Sequence, residues 1–182
     1  MTLRFGEPTT VTIPTVVTDR LILRCWRPED IGPYTAMAAH PDMSRYTGSP
    51  RNREAVWDME AALTGHWHLC GFGMWAAEDR SGGEFVGRAG LYQPEGWPGL
   101  EVAWTIRRDL WGRGLATEAG AAVLDFAFTR VGANEVISLI HPDNAASIRV
   151  AGKLGLADTH RTFRGDAIYA ITRAEWKTRT GG

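Results

Sequence analysis

The 182-residue chain has no excess of either charge: twenty Lys and Arg stand against twenty-one Asp and Glu, a formal net charge of -1. That removes the broad basic footprint of a general nucleic-acid binder. Cysteine is nearly absent. Cys25 and Cys70 form neither a CxxC pair nor a disulfide framework, and their apolar or aromatic sequence neighbours suggest two buried thiols in a reducing compartment. No stretch approaches the roughly 20 apolar residues of a membrane span. The opening Met-Thr-Leu-Arg-Phe-Gly also lacks a signal peptide's apolar region, so a cytoplasmic protein without membrane attachment is expected. Metal-ligand spacing is missing too. His66 and His68 flank Trp67, but no second pair of ligands has suitable spacing, so no metal is expected and both read as surface or pocket histidines.

What is present is ordinary globular material, 44% hydrophobic and 23% charged, and too short for two independent cores. Residues 1–17, rich in Thr and Pro, read as an arm or edge strand, and 18–182 as one domain. Alternation over Leu21–Cys25 predicts a strand, followed by a proline-assisted helix from about Glu29 to His40. A second helix is expected after Ser-Pro-Arg-Asn, ending before Gly65, with a loop between the two helices that carries Tyr46, Gly48 and Pro50. Phe72–Ala77 and Phe85–Tyr92 read as a hairpin around Ser81-Gly82-Gly83, and Gln93–Gly99 as a loop. Then come a strand at 100–106, a helix from about Leu115 to Arg130 and a strand at 136–140. Asn144 caps a helix that stops at Gly155, and two strands around Arg164-Gly165-Asp166 end the pattern. The order implies an α/β (α+β) sandwich with one mixed sheet of about six to seven strands, because the long helix must cross over between its flanking strands.

The stretch with chemical content is Trp104-Thr105-Ile106, then Trp111-Gly112-Arg113-Gly114-Leu115-Ala116, a glycine turn between a strand and a helix. The first N–H groups of a helix lack internal partners and lie at the positive end of its dipole, so such a turn receives anions. Gly112 and Gly114 let a phosphate approach the backbone. No Gly-Lys-Ser/Thr follows, which excludes a Walker loop, and Thr117 stands where a dinucleotide fingerprint needs its third glycine. The pattern alone leaves a phosphate site or a tight turn without a ligand.

The Trp111–Ala116 segment resembles the Gln/Arg-x-x-Gly-x-Gly/Ala pyrophosphate loop of the GNAT superfamily of N-acetyltransferases. Trp in first place is as in its ribosomal-protein N-acetyltransferase-like branch. Thr18-Asp19-Arg20-Leu21, Thr117-Glu118-Ala119, and Asn144-Ala145-Ala146-Ser147 with Lys153-Leu154-Gly155-Leu156 resemble the same branch in the same order, over about Thr18 to Trp176. The resemblance implies a sheet splayed between strands 100–106 and 136–140, so that unpaired backbone meets the pantetheine arm of acetyl-CoA. By that resemblance Trp104, Thr105 and Ile106 line the arm, Trp111, Gly112, Arg113, Gly114, Leu115 and Ala116 hold the pyrophosphate, and Asn144 and Ser147 touch the cofactor from the next helix.

An amine must be neutral to attack a thioester, and free amines titrate near ~8 to ~10.4, so a nearby base helps. Glu101 is the candidate, resembling a strand glutamate that several family members use through a water; the alternative is a polar strand end. The family's tyrosine seven residues after the Asn is replaced by Ala151, which shifts attention to Ser147 as the group that assists the departing thiolate; its alternative is a helix-cap residue. Asp42, Glu101 and Asp166 are acids that could attract a cationic amine, and Trp57, Trp67, Trp75 and Trp97 could wall its cleft. The expected partners are acetyl-CoA and an amine, a protein N-terminus or a small molecule, with neither nucleic acid nor membrane; monomer and homodimer both stay open. A non-catalytic acyl-CoA-binding module and a nucleotide-dependent oxidoreductase are the competing readings.

Overall fold

In the computed structural model, which describes residues 10–48 and 52–181, eight strands form one sheet in the order β1-β2-β3-β4-β5-β6-β8-β7. They are β1 (Val16–Val17), β2 (Leu21–Arg24), β3 (Met74–Asp79), β4 (Phe85–Tyr92), β5 (Glu101–Ile106), β6 (Glu135–Ile140), β7 (Ala157–Phe163) and β8 (Asp166–Thr172). Every neighbouring pair is antiparallel except β5 with β6. Six α-helices complete the described fold: α1 (Ile31–Ala39), α2 (Pro41–Thr47), α3 (Arg53–Cys70), α4 (Leu115–Phe126), α5 (Ala145–Leu154) and α6 (Arg173–Thr180).

Strand alternation sorts the core into two layers. Trp75 and Ala77 of β3, with Leu21, Leu23, Leu91 and Val102, pack against Leu115, Ala119, Val123 and Leu124 of α4 and Ala151 and Leu154 of α5. Ala76 and Phe85 face the other way, against Ile31, Tyr34 and Met37 of α1 and Val56 of α3. That second face also buries charge. Arg24 donates two hydrogen bonds to Asp30, at 2.7 and 2.9 Å, and a third to Glu78. Arg88 of β4 donates to Glu60 of α3 at 2.9 Å and stacks over Tyr34.

Several expectations need correction. The sheet has eight strands rather than six or seven, since the two-residue β1 extends it at the edge. The segment carrying Tyr46 and Gly48 is not a loop but α2: His40 Nδ1 accepts from the Asp42 N–H, Pro41 sits in the first turn and Gly48 closes it at φ 58°. Pro50 lies outside the described residues, as do residues 1–9 of the arm. The next helix, α3, runs through Gly65 and stops at Gly71, because Trp67 beyond it is buried and anchored by its indole N–H to the Met74 carbonyl. A final helix, α6, follows the last strand under a Thr172–Glu175 capping box. Both cysteines are exposed, not buried: Cys25 leaves the end of β2 and Cys70 ends α3. No helix among the described residues is long and apolar enough to cross a membrane.

Candidate active site

β5 and β6 form a V. At its vertex Glu101 pairs with Ile137, and the Ile137 N–H donates to the Leu100 carbonyl at 2.8 Å. Beyond that pair the two strands share no ladder, although β5 stays paired with β4 up to Ile106 and β6 with β8 up to Ile140. Backbone groups on the facing sides of the V are therefore unsatisfied within the sheet, and an extended amide-bearing ligand can pair with them.

The vertex is held by a side chain. Glu101, only 8% exposed, accepts the Leu139 N–H on Oε1 at 3.3 Å and the Trp97 indole N–H on Oε2 at 2.8 Å. Loss of water pushes its carboxyl up to about 7. The two N–H donors and the more distant Arg88 pull it back, and Asp166 adds to the rise. A carboxyl poised there takes up and releases a proton at neutral pH.

At the C-terminal end of β5 the chain enters the glycine turn. Gly112 and Gly114 sit at φ 77° and 82°, the left-handed region that glycine adopts without strain. Space beside Gly112 is open within 4 Å of where a Cβ would lie. No side chain caps α4, and the N–H groups of its first turn have no acceptor within the helix. The unpaired donors at this helix N-terminus, beside two glycines, make an anion site that fits a pyrophosphate. Trp111 lies over the end of β5, its indole N–H donating to the Ile106 carbonyl at 2.7 Å.

This turn is clamped from the start of the chain. Glu118 in the first turn of α4 accepts from the Thr18 hydroxyl at 2.6 Å, the Arg20 N–H at 2.8 Å and Arg20 Nε at 2.6 Å. Arg20 Nη1 in turn donates to the Arg113 carbonyl at 2.8 Å. On the opposite wall, Asn144 Oδ1 accepts the Ser147 N–H at 3.1 Å and opens α5, which ends in a Schellman stop at Gly155. Helix α2 reaches both arms of the V: Asp42 pairs with Arg108 past β5, and Tyr46 lies 5.2 Å from the His141 ring past β6.

The family model described as the acetyltransferase (GNAT) domain matches residues 20–157, more than half of the chain. The chain belongs to the GNAT acetyltransferase family. Among its relatives, the uncharacterized protein YkkB of Bacillus subtilis is 33% identical over 144 residues, covering 78% of this chain and 84% of that protein. The solved acetyltransferase of Agrobacterium tumefaciens strain C58 superposes with a TM-score of 0.80 at 28% identity, covering 92% of this chain and 99% of that one. RimJ of Mycobacterium smegmatis, solved with CoA-disulfide, shares the fold at a TM-score of 0.66 and 19% identity, over 88% of this chain and 89% of that one.

Set on the GNAT fold, the residues singled out in the sequence divide. Trp104, Thr105 and Ile106 fall on the open arm of β5, and Trp111 to Ala116 form the turn into α4. Ser147 is half-buried, and among the described residues its hydroxyl makes no hydrogen bond within the chain. Ala151 is fully buried in the core between α5 and α4. Of the four tryptophans, Trp67 and Trp75 are core, T-stacked at 4.8 Å and closed by Phe126, and Trp57 is 60% exposed on the outside of α3. Trp97 alone touches Glu101. Asp42 is neutralised by Arg108, and Arg107 by Asp109 and Glu84. Sequence reasoning missed the linkage between Thr18, Arg20 and Glu118, although all three lie in the motifs that carried the resemblance, and it missed the Glu60–Arg88 pair, which has no signature in the chain.

Proposed function

We propose that this GNAT protein transfers the acetyl group of acetyl-CoA to a primary amine, a protein N-terminus or a small-molecule amine, in the manner of the ribosomal-protein N-acetyltransferase-like branch. The observation that carries the reading is the V that opens beyond one backbone pair, with a poised carboxyl at its vertex and the uncapped N-terminus of α4 at its far end. Trp104 to Ile106 pair with the pantetheine amides, and Trp111 to Ala116 with the pyrophosphate. Asn144 and Ser147 bound the thioester end. The CoA-disulfide bound to the mycobacterial RimJ supports the same cofactor in this chain.

In this reading Glu101 accepts a proton from the attacking amine, directly or through one water, as the new bond forms between nitrogen and the acetyl carbon. Unpaired N–H groups of β5 hold the carbonyl oxygen as it gains charge. The carbon–sulfur bond then breaks, and the sulfur leaves as a thiolate that the Ser147 hydroxyl hydrogen-bonds and that takes a proton from water to become the thiol of CoA, while Glu101 returns its proton to solvent. No covalent enzyme intermediate is required, and both cysteines lie outside the scheme.

A panel of amines with acetyl-CoA, read by thiol release, tests this function. Turnover with at least one amine is expected. The second reading, an acyl-CoA-binding module without catalysis, is favoured by the buried Ala151, which leaves the family's tyrosine position without an acid. CoA binding by calorimetry without turnover on any amine would select it.

A further inference from the structure

Glu101 is held in an unusual way for a buried carboxyl. Both oxygens accept from neutral N–H groups, one on the Leu139 backbone of β6 and one on the Trp97 indole from the loop between β4 and β5. The Leu139 donor belongs to the strand and has no freedom to change. The indole is a side chain four residues upstream, and its orientation is fixed from two sides. Tyr92, which faces Glu101 across the β4–β5 pair, meets the Trp97 ring edge-on at 5.3 Å. Phe163 at the end of β7 meets it at 5.3 Å and 68°, with the Arg164 guanidinium lying over both Trp97 and Phe163.

We propose that Trp97 is a positioning residue for the acetyl transfer: its indole N–H orients the Glu101 carboxylate and sets the pH at which it accepts the amine's proton. This rests on the reading of Glu101 as the base. Two aromatic neighbours restrain the indole, so its donor is preorganised rather than recruited, and the ring cannot swing aside without breaking contacts to two strands. A donor to the ionised form favours that form, which opposes the upward push of burial. The other groups that act on Glu101 are Arg88 from β4, which favours the ionised form, and Asp166 from β8, which disfavours it. Tyr92 on β4 faces it as well. Among the described residues none of these hydrogen-bonds the carboxylate, so removing the indole donor takes away one of two.

The test compares kcat/KM against pH for the unchanged protein, Trp97→Phe and Glu101→Gln, and titrates the Glu101 carboxyl carbon by NMR in the first two. Phe keeps the ring packing against Tyr92 and Phe163 but removes the N–H. The acid limb of Trp97→Phe is expected about one pH unit higher, with most activity regained on the alkaline side and the NMR midpoint displaced equally. Site-specific 5-fluorotryptophan at 97, a stronger donor of nearly the same shape, should move both midpoints downward; it also serves if Trp97→Phe folds poorly. An acid limb and NMR midpoint unmoved in both variants, with the limb near neutral pH replaced in Glu101→Gln by the amine's own higher one, would leave Trp97 as packing and the base intact. Persistence in Glu101→Gln of the limb near neutral pH, as distinct from the higher limb of the amine's own deprotonation, would remove the base itself. In that case the inference about catalysis fails with it, whatever the NMR midpoints show.

Discussion

Glu60 and Glu101 lie on the same side of the sheet, both almost fully buried and both pushed up to about 7 by loss of water. Their partners differ in kind. Glu60 faces the Arg88 guanidinium through one oxygen, while its second oxygen and the Arg88 Nε have no partner. Glu101 has both oxygens satisfied, and by neutral donors. A carboxylate beside a guanidinium joins helix to sheet through opposite charge, and removing either member strands the other in the core. A carboxylate held by N–H groups keeps both donors whether or not it is ionised, so it can exchange a proton without leaving its place.

The sharpest test of that contrast is turnover. Glu101→Gln should lower kcat at neutral pH by about 10² to 10⁴, the range of a lost general base, with the deficit shrinking as rising pH deprotonates the amine in solution. Glu60→Gln should change kcat less than about threefold in the same assay. Equal losses in the two variants would erase the distinction.

Stability should rank the pair the other way. Glu60→Ala leaves the Arg88 guanidinium without its carboxylate and should cost about 3 kcal/mol in urea unfolding. Glu101→Ala strands only neutral N–H groups and should cost about 2 kcal/mol.

Next comes the pH dependence of folding. Burial pushes each carboxyl from its ordinary 4.5 up to about 7 in the folded chain. Between these the native state holds more protons than the unfolded chain, so stability is highest below the unfolded value and falls as pH rises toward 7. The fall should be on the order of 5 kcal/mol for the two groups together and largely absent from a Glu60→Gln, Glu101→Gln double variant, as read by urea unfolding at pH 5 and 8.

The smallest expected effect is at Ser147. Ser147→Ala should lower kcat several-fold with unchanged CoA affinity by calorimetry, because Asn144 caps the Ser147 backbone N–H, which the substitution keeps. Lost thermal stability with normal turnover would assign the hydroxyl to packing.

Much of this arrangement was legible because it depends on local rules. Gly112 and Gly114 marked the turn, Asn144 and Gly155 marked the two ends of α5, and the Arg164-Gly165-Asp166 turn marked the last hairpin, where Arg164 and Gly165 both take positive φ. Each is read within a few residues. Helix α2 escaped because a seven-residue helix shows too little periodicity to stand out from Pro and Gly, although Pro41 and Gly48 mark its ends. Gly65 suggested a stop that burial of Trp67 overrode. Within the site, Glu101 could be picked out from its position before the glycine turn, but the indole that holds it could not. That contact depends on the path of the loop over 93–100, which is set by Tyr92 and Phe163.

The hydrogen bonds from Thr18 and Arg20 to Glu118 span 100 and 98 residues of chain. On a ribosome adding about 5–20 residues per second, the first half of this contact waits roughly 5–20 s for its partner to be made. The glycine turn is synthesised only a few residues ahead of Glu118, so its shape is settled late, when the oldest and newest parts of the nascent chain meet. Closing so long a loop carries a large entropic cost before any contact rewards it, which places this step among the slow ones of folding. A chain trimmed ahead of Leu21 would keep both glycines and lose the strap from Thr18 and Arg20 that holds them, although no deleted residue lies in the turn.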